Sequence, residues 1–257
     1  MDEHYTQISN QFDYLYEPFH KGNASIIINR LKLKQNDLLL DIGGATGGQA
    51  QVLRKQARLK NPVTILEPCK ALADIASTVN GVISKQETVE QFYGHYEAEV
   101  MKGESKMIPF NKILSVMSIH HFSDKLKSLD QIITCLPPNG VLLVLKPPCS
   151  GLDLPFSKFH LQYNRQLPEM FDYIIPYLKN RDDAFTEVSN EVSTFQIAKS
   201  RWYSMIRGRF WSFLHRFSDD EIEESIQELE DERFSGVKED ENITVIDKYI
   251  ALTVTKK

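Results

Sequence analysis

The residues best placed to do chemistry are a carboxylate and the glycines that follow it. Leu38 to Ala50 reads LLLDIGGATGGQA: an apolar run ends in Asp41, and glycines stand at positions 43, 44, 47 and 48. Glycine lets a backbone adopt positive-φ conformations and lets a ligand approach with no Cβ in the way. A helix starting at such a turn adds free N–H groups that suit polar or anionic ligand atoms. Glu67 stands 20 residues beyond Gly47, at the end of a second apolar run, PVTIL. A carboxylate there can accept hydrogen bonds from both hydroxyls of a ribose. The pattern suits a nucleoside-containing cofactor; the bland alternative is a tight strand-to-helix turn with no ligand.

Two cofactors fit, a dinucleotide and S-adenosylmethionine. Gly43-x-Ala45-x-x-Gly48 comes close to the dinucleotide fingerprint, with alanine at its second glycine. Three features favour S-adenosylmethionine. Asp41 stands two residues before the first glycine, where it can organise the loop around an ammonium and a carboxylate. A later apolar run ends in SVMSIHHFSD, Ser115 to Asp124. The tail reads as a strand, a helical insert and a final strand. A short-chain reductase would carry a tyrosine with a lysine four residues on, and no tyrosine here has one. Tyr177 and Tyr203 are followed at that distance by Arg181 and Arg207.

Other side chains could serve a methyl acceptor. His120 and His121 are adjacent, so on a helix start they are expected to point in different directions. Either could act as general base for an alcohol or phenol; a carboxylate acceptor, ionised near neutral pH, needs none. The alternative is packing under the sheet for His121 and a place beside the cofactor, without chemistry, for His120. In KSRWYSMIRGRFWSFLHRF, Lys199 to Phe217, the side chains of Trp202, Met205, Phe210 and Phe213 could form an apolar wall. Arg201, Arg207, Arg209 and Arg216 supply forked donors for a carboxylate or phosphate. The competing reading is a helix with core aromatics and solvated arginines. The N-terminal YTQISNQFDYLYEPFH brings Tyr5, Phe12, Tyr14 and Tyr16. The hydroxyls of Tyr14 and Tyr16 could orient an acceptor, or the rings could simply pack the first helix onto the sheet. No grouping of residues reads as a metal site.

These groups need a rigid scaffold, and the apolar periodicity supplies one. Helices are predicted over 5–32, 46–59 and 68–79, another around Val89 and Phe92, and one capped by Ser123. Strands are predicted over 37–42, 62–66, 81–85, 110–117 and 141–145. Alternating strands and helices with continuously apolar strands indicate a doubly wound parallel sheet covered on both faces. Beyond residue 146 the pattern changes. Residues 150–180 mix loop and helix, with Phe171, Ile174, Ile175 and Leu178 at helical spacing. Residues 185–195 read as a strand and 198–232 as helix in two pieces, with Ser218 and Glu221 as a capping box. The last strand, 243–254, is expected to run antiparallel. The fold class is thus α/β: a Rossmann-like doubly wound seven-stranded sheet, mostly parallel with an antiparallel last strand, and a helical insert before that strand.

The chain has 257 residues, 42% of them hydrophobic and 25% charged, which suits one domain with a core that needs no disulfides. A formal net charge of −5 makes broad nucleic-acid binding an unfavoured function. Cys69, Cys135 and Cys149 are odd in number, with no CxxC, and read as apolar fillers in a reducing compartment. No apolar run approaches the ~20 residues of a membrane span. The opening MDEHYTQISN is acidic and polar, unlike a secretory leader. A cytoplasmic location follows as the expectation, with the oligomeric state open.

The motifs together resemble the class I S-adenosylmethionine-dependent methyltransferases over nearly the whole chain. They are DIGGATGG at 41–48, ILEP at 65–68, FNKILSVMSIHHFSD at 110–124 and LPPNGVLLVLKP at 136–147. The insert before the last strand is similar to the small-molecule branch that includes trans-aconitate methyltransferase. The resemblance implies a single methyltransferase domain over 1–257: a helical lid at 1–34, a cofactor-binding half at 35–147 and a substrate-side half at 148–257 carrying the insert at 198–232. It implies that Gly43, Gly44 and Gly47 approach the methionine and ribose of S-adenosylmethionine, with Asp41 organising the loop. Glu67 would hold the ribose hydroxyls, and Pro68 and Cys69 would border the adenine. Gln86 or Glu87 would reach the adenine amino group, while Ser115 and Val116 would present backbone. The family usually has glycine where Ala45 stands. The implied reaction is direct in-line methyl transfer to a small molecule, carboxylic acids included, with S-adenosylhomocysteine as product. A non-catalytic S-adenosylmethionine-binding module, or a protein or RNA methyltransferase, are the alternatives.

Overall fold

Four buried residues, Leu39–Ile42, form β1 inside a seven-stranded sheet. The structure is a computed structural model and describes residues 2–101, 110–149 and 153–257. The other strands are β2 (Val63–Leu66), β3 (Val82–Lys85), β4 (Lys112–Val116), β5 (Val141–Lys146), β6 (Ala184–Ala198) and β7 (Asn242–Lys256). Their order is β3-β2-β1-β4-β5-β7-β6. The first five strands are parallel, and β7 runs antiparallel between β5 and β6. In register, Ile42 lies beside Leu66 and Val116 beside Leu145, so the C-terminal ends of the four central parallel strands finish nearly level. The chain's winding reverses between β1 and β4, and such a reversal opens a crevice where sheets of this kind bind ligands.

The long helix α1 (Asp2–Leu31) opens the chain. The sheet crossovers carry α2 (Gly48–Gln56), α3 (Lys70–Ser77), α4 (Val89–Met101) and α5 (Lys125–Cys135), followed by α6 (Lys158–Arg165) and α7 (Phe171–Lys179). The insert consists of α8 (Lys199–Arg207), a 3-10 turn (Ser212–Arg216) and α9 (Asp219–Glu232). Ser218 caps α9 with the reciprocal Glu221 bond, as its sequence indicates.

Some boundaries differ from the sequence expectation. Asp124, not Ser123, caps α5, its carboxylate accepting the Lys127 N–H; Ser123 is drawn instead to Glu90. The insert holds three helical pieces where two are expected. β6 and β7 each run to 15 residues because their outer halves pair only with each other. There burial in β7 alternates, and it becomes continuous only where β7 lies beside β5. Met1 and residues 150–152, which open the expected lid and the expected loop-and-helix stretch, lie outside the described residues.

Three apolar clusters hold this arrangement. One face of the sheet packs against α4, α5 and α7 through Leu129, Ile132, Phe171 and Ile174. The other packs against α1 and α2 through Ile27, Leu31, Ala50 and Leu53. The third joins the first half of α1 to the insert through Phe12, Phe19, Trp202, Ile206 and Trp211. A fully buried aromatic ring contributes roughly 4–6 kcal/mol of transfer free energy before ordering costs. That interface fixes α1 and the insert as walls over the sheet's C-terminal edge.

Candidate active site

The turn after β1 is held open by backbone geometry. Gly43 has φ of +74°, and a Cβ there would lie 2.5 Å from the Ser118 Cβ. Its N–H donates to Leu66 O at 2.7 Å, and Gly47 N–H to Gly44 O at 3.0 Å. Ser118 Oγ donates to Ile42 O at 2.6 Å and lies 2.7 Å from Ser115 Oγ, tying the end of β4 to the turn. On its other side, Thr46 bonds Asp13 of α1, and Gln49 Nε2 donates to His20 O at 3.2 Å. The glycine turn is thus clamped between β4 and the first helix.

A cavity of about 710 Å³ opens from this turn, within the usual range of small-molecule sites of about 300–1,000 Å³. Carboxylates stand around the β1–β3 side of it. Glu67 is 6% exposed; its Oε2 accepts Ala45 N–H at 3.1 Å and its Oε1 accepts Cys69 N–H at 2.9 Å. Asp41 is 2% exposed, and its Oδ2 has no hydrogen-bond partner among the described residues. Burial, with Glu67 nearby, pushes the Asp41 carboxyl up to about 7. A cationic ligand group would supply the missing partner. Gly43, Gly44, Pro68, Cys69, Glu87 and Val116 also line the cavity.

Three expected cofactor residues do not reach it. Gly47, at φ +86°, turns the chain into α2, and a Cβ there would meet Ile65, Val82 and Val79. Ser115 is 1% exposed beneath the wall and acts through Ser118. Gln86 faces solvent, leaving Glu87 as the lining residue of that pair.

The histidines differ from the expected divergence. The 3-10 turn Ile119–His121 sets both rings in the cavity wall with centroids 3.8 Å apart. Burial, then His121, pushes His120 down to about 3; burial, then Lys125, pushes His121 down to about 4. Both are therefore neutral at pH 7. Tyr5 Oη lies 3.2 Å from His121 Nε2, and its hydroxyl is pushed up to about 12 by burial, then by Glu67.

The expected acceptor side chains divide sharply. Tyr16, Phe210 and Phe213 line the cavity, joined by Phe12, Phe156 and Trp211. Tyr14 does not: it sits two residues, about 200° of helix turn, from both Phe12 and Tyr16, and is 65% exposed. Arg201 stacks outside on Tyr14, its guanidinium carbon 4.1 Å from the ring. Trp202 and Met205 are fully buried in the insert core, with Trp202 Nε1 donating to Pro155 O at 2.7 Å. Arg207 forks onto Glu223, Arg209 bonds Phe217 O and Asp219, and Arg216 lies over Tyr163. None of these four arginines lines the cavity: Arg207 and Arg209 are held by acids and Arg216 lies over an aromatic ring, while Arg201 stacks on Tyr14 with its Nε and Nη2 lacking a hydrogen-bond partner among the described residues.

Lys146, at the end of β5, lines the cavity and was not expected. A charged residue closing a buried apolar strand is the signal that marks it in the sequence. Ser118, Asp13 and Gln49 carry no comparable signal, because each acts through a partner distant in sequence. Among the described residues no group of three or more His, Cys, Asp or Glu is gathered as for a metal, and no helix is long and apolar enough to cross a membrane.

A methyltransferase-domain family model matches residues 19–197. Phosphoethanolamine N-methyltransferase 2 of Haemonchus contortus, solved with phosphomonomethylethanolamine and S-adenosylhomocysteine, superposes with a TM-score of 0.58 at 17% identity. That match covers 98% of this chain and 57% of the Haemonchus chain, so the present chain spans little more than half of that relative's length. A protein from Anabaena variabilis, described as a methyltransferase from an antibiotic biosynthesis pathway, has a TM-score of 0.60 at 17% identity, covering 91% of this chain and 96% of that one. The plantazolicin methyltransferase BpumL, solved with S-adenosylhomocysteine, has a TM-score of 0.54 at 16% identity, covering 98% and 90%. No curated protein matches the sequence. At these identities the solved structures establish a common fold, and the family model spans well over half of the chain. The chain belongs to the class I S-adenosylmethionine-dependent methyltransferases.

Proposed function

We propose that this protein methylates a small molecule by direct in-line displacement, with S-adenosylmethionine as methyl donor and acids among its acceptors. One observation carries the reading: a single cavity runs from Asp41, Glu67 and Glu87 to an aromatic chamber built by α1 and the insert. The bound donor supplies a methyl group activated by a positive sulfur. The unpartnered Asp41 oxygen suits the donor's ammonium, and Glu67 suits its ribose hydroxyls while keeping its bonds to Ala45 and Cys69. A carboxylate oxygen has two lone pairs, so both sets of bonds are compatible.

Phe12, Tyr16, Phe156, Phe210 and Trp211 exclude water and hold an apolar acceptor in place. Orientation of this kind can lower a barrier by several kcal/mol, about 7–11 in the best intramolecular cases. His120 and His121, neutral at pH 7, serve as hydrogen-bonding walls, with His121 oriented by Tyr5. The first half of α1 acts as a lid, with Asp13 bonded to Thr46 of the glycine turn and His20, further along α1, to Gln49 at the start of α2.

Calorimetry with S-adenosylhomocysteine and with NAD tests the cofactor assignment: binding of the first alone is expected, and its absence sinks the proposal. Transfer of labelled methyl from S-adenosylmethionine into small acids, phenols, amines and thiols then tests the acceptor class. Labelling confined to proteins or RNA in a cell extract would replace it with a macromolecular one.

A further inference from the structure

Lys146 ends β5 and is only 8% exposed, yet it lines the cavity. Its Nζ donates to Pro147 O at 3.0 Å and lies 3.4 Å from Cys149 Sγ. Among the described residues no carboxylate comes within 4.0 Å of that nitrogen. Glu169, on the following segment, is engaged by the N–H groups of Cys149 and Phe171. A buried ammonium is costly unless an anion accompanies it. Lys146 is also the only lysine or arginine among the described residues that line the cavity; the insert's arginines lie outside it, Arg201 over Tyr14, Arg207 on Glu223, Arg209 on Asp219 and Arg216 over Tyr163.

The strand order places this cation on the acceptor side. From β2, which Glu67 follows, to β5 there are three strand spacings, about 14 Å in all. A nucleoside at Glu67 leaves room for a small acceptor between the glycine turn and Lys146. The aromatic rings of α1 and the insert cover the same space.

We infer that Lys146 anchors an oxyanion of the methyl acceptor, so that the acceptor is an apolar or aromatic small molecule carrying a carboxylate or phosphate. The inference rests on the methyltransferase reading above. Lys146 supplies the counter-charge, the aromatic chamber takes the apolar body, and the carboxylates on the β1–β3 side repel the anion from the cofactor end.

The test uses two anionic probes, phenylacetate and phenyl phosphate, against their neutral counterparts phenylacetamide and phenol. Each is titrated into the wild type, Lys146→Gln and Lys146→Arg, with and without saturating S-adenosylhomocysteine. The wild type should bind at least one anion about tenfold or more tighter than its neutral counterpart. Lys146→Gln should erase that preference while still binding S-adenosylhomocysteine, and Lys146→Arg should keep it. Equal binding of anion and neutral probe, binding of none, or a preference that survives Lys146→Gln overturns the inference. A crystal structure of the wild type with phenyl phosphate decides independently of any variant: the phosphate should sit on Lys146 Nζ, and any other seat overturns the assignment. Failure of S-adenosylhomocysteine to bind brings down the methyltransferase reading, while the titrations without it still decide on Lys146.

Discussion

The Glu67 carboxylate accepts the backbone N–H of Ala45 at 3.1 Å, joining the end of β2 to the crown of the glycine turn. The donor pocket is therefore braced before any ligand enters. Replacing Glu67 by glutamine keeps the shape, but the amide has one acceptor oxygen for the N–H groups of Ala45 and Cys69, and it removes the charge from the proposed ribose contacts. Charge-assisted bonds contribute about 1.5–3 kcal/mol each. Calorimetry should find S-adenosylhomocysteine binding weakened by about 10- to 100-fold; unchanged affinity would move the ribose away from Glu67.

Ala45 holds its place with φ of +49°, in the left-handed region where a Cβ is crowded. That strain costs about 1–2 kcal/mol, partly offset in glycine by a freer unfolded chain. Ala45→Gly should therefore stabilise the protein by about 0.5–1 kcal/mol, seen as a raised urea midpoint at unchanged slope. The physical reason for glycine at this position is the backbone angle, ahead of any clash with ligand.

Proton linkage tests the seat proposed for the ammonium. The Asp41 carboxyl is held at about 7 by burial and by Glu67, against about 3.9 in an unfolded chain. Its pKa is raised on folding, so the stability it contributes is present below about pH 4 and lost as pH rises through about 7. An ammonium placed beside it favours the ionised form and expels the proton. S-adenosylhomocysteine binding at pH 6 should release a substantial fraction of one proton, and affinity should rise toward pH 8. Calorimetry in buffers of different ionisation enthalpy reads this directly. Asp41→Asn should abolish the release; Asp247, also held at about 7, is not among the residues that line the cavity.

The insert core and its surface arginines should separate in kinetics. Trp202 is fully buried and bonds Pro155 O, so Trp202→Ala should cost about 3–5 kcal/mol of stability. Arg201→Gln, Arg207→Gln and Arg209→Gln should leave KM for an acidic acceptor within about twofold, since none of the three lines the cavity. A KM raised tenfold in any one of the three would return that arginine to the substrate.

Local pattern made the sheet readable. Short continuous apolar runs such as Val141 to Leu145 fit strands covered on both faces, being too short for a buried helix, and the glycine turn with Glu67 points to a nucleoside-containing ligand without choosing between cofactors. The insert is harder to read, because aromatic residues of α8 and of the connection that follows it fall in two burial environments. Trp202 and Phe210 look alike in sequence, yet one fills the core and the other faces the cavity.

The sequence by itself determined the α/β winding, the turn after β1 and the acids that close β1 and β2, since these follow from hydrophobic period and glycine placement. Tertiary structure alone decided which basic group enters the cavity. Arginine side chains are long enough to find acids on their own surface, as Arg207 finds Glu223 and Arg209 finds Asp219. Lys146 is fixed at the buried end of a central strand, where strand order directs it into the cavity and no carboxylate among the described residues pairs with it.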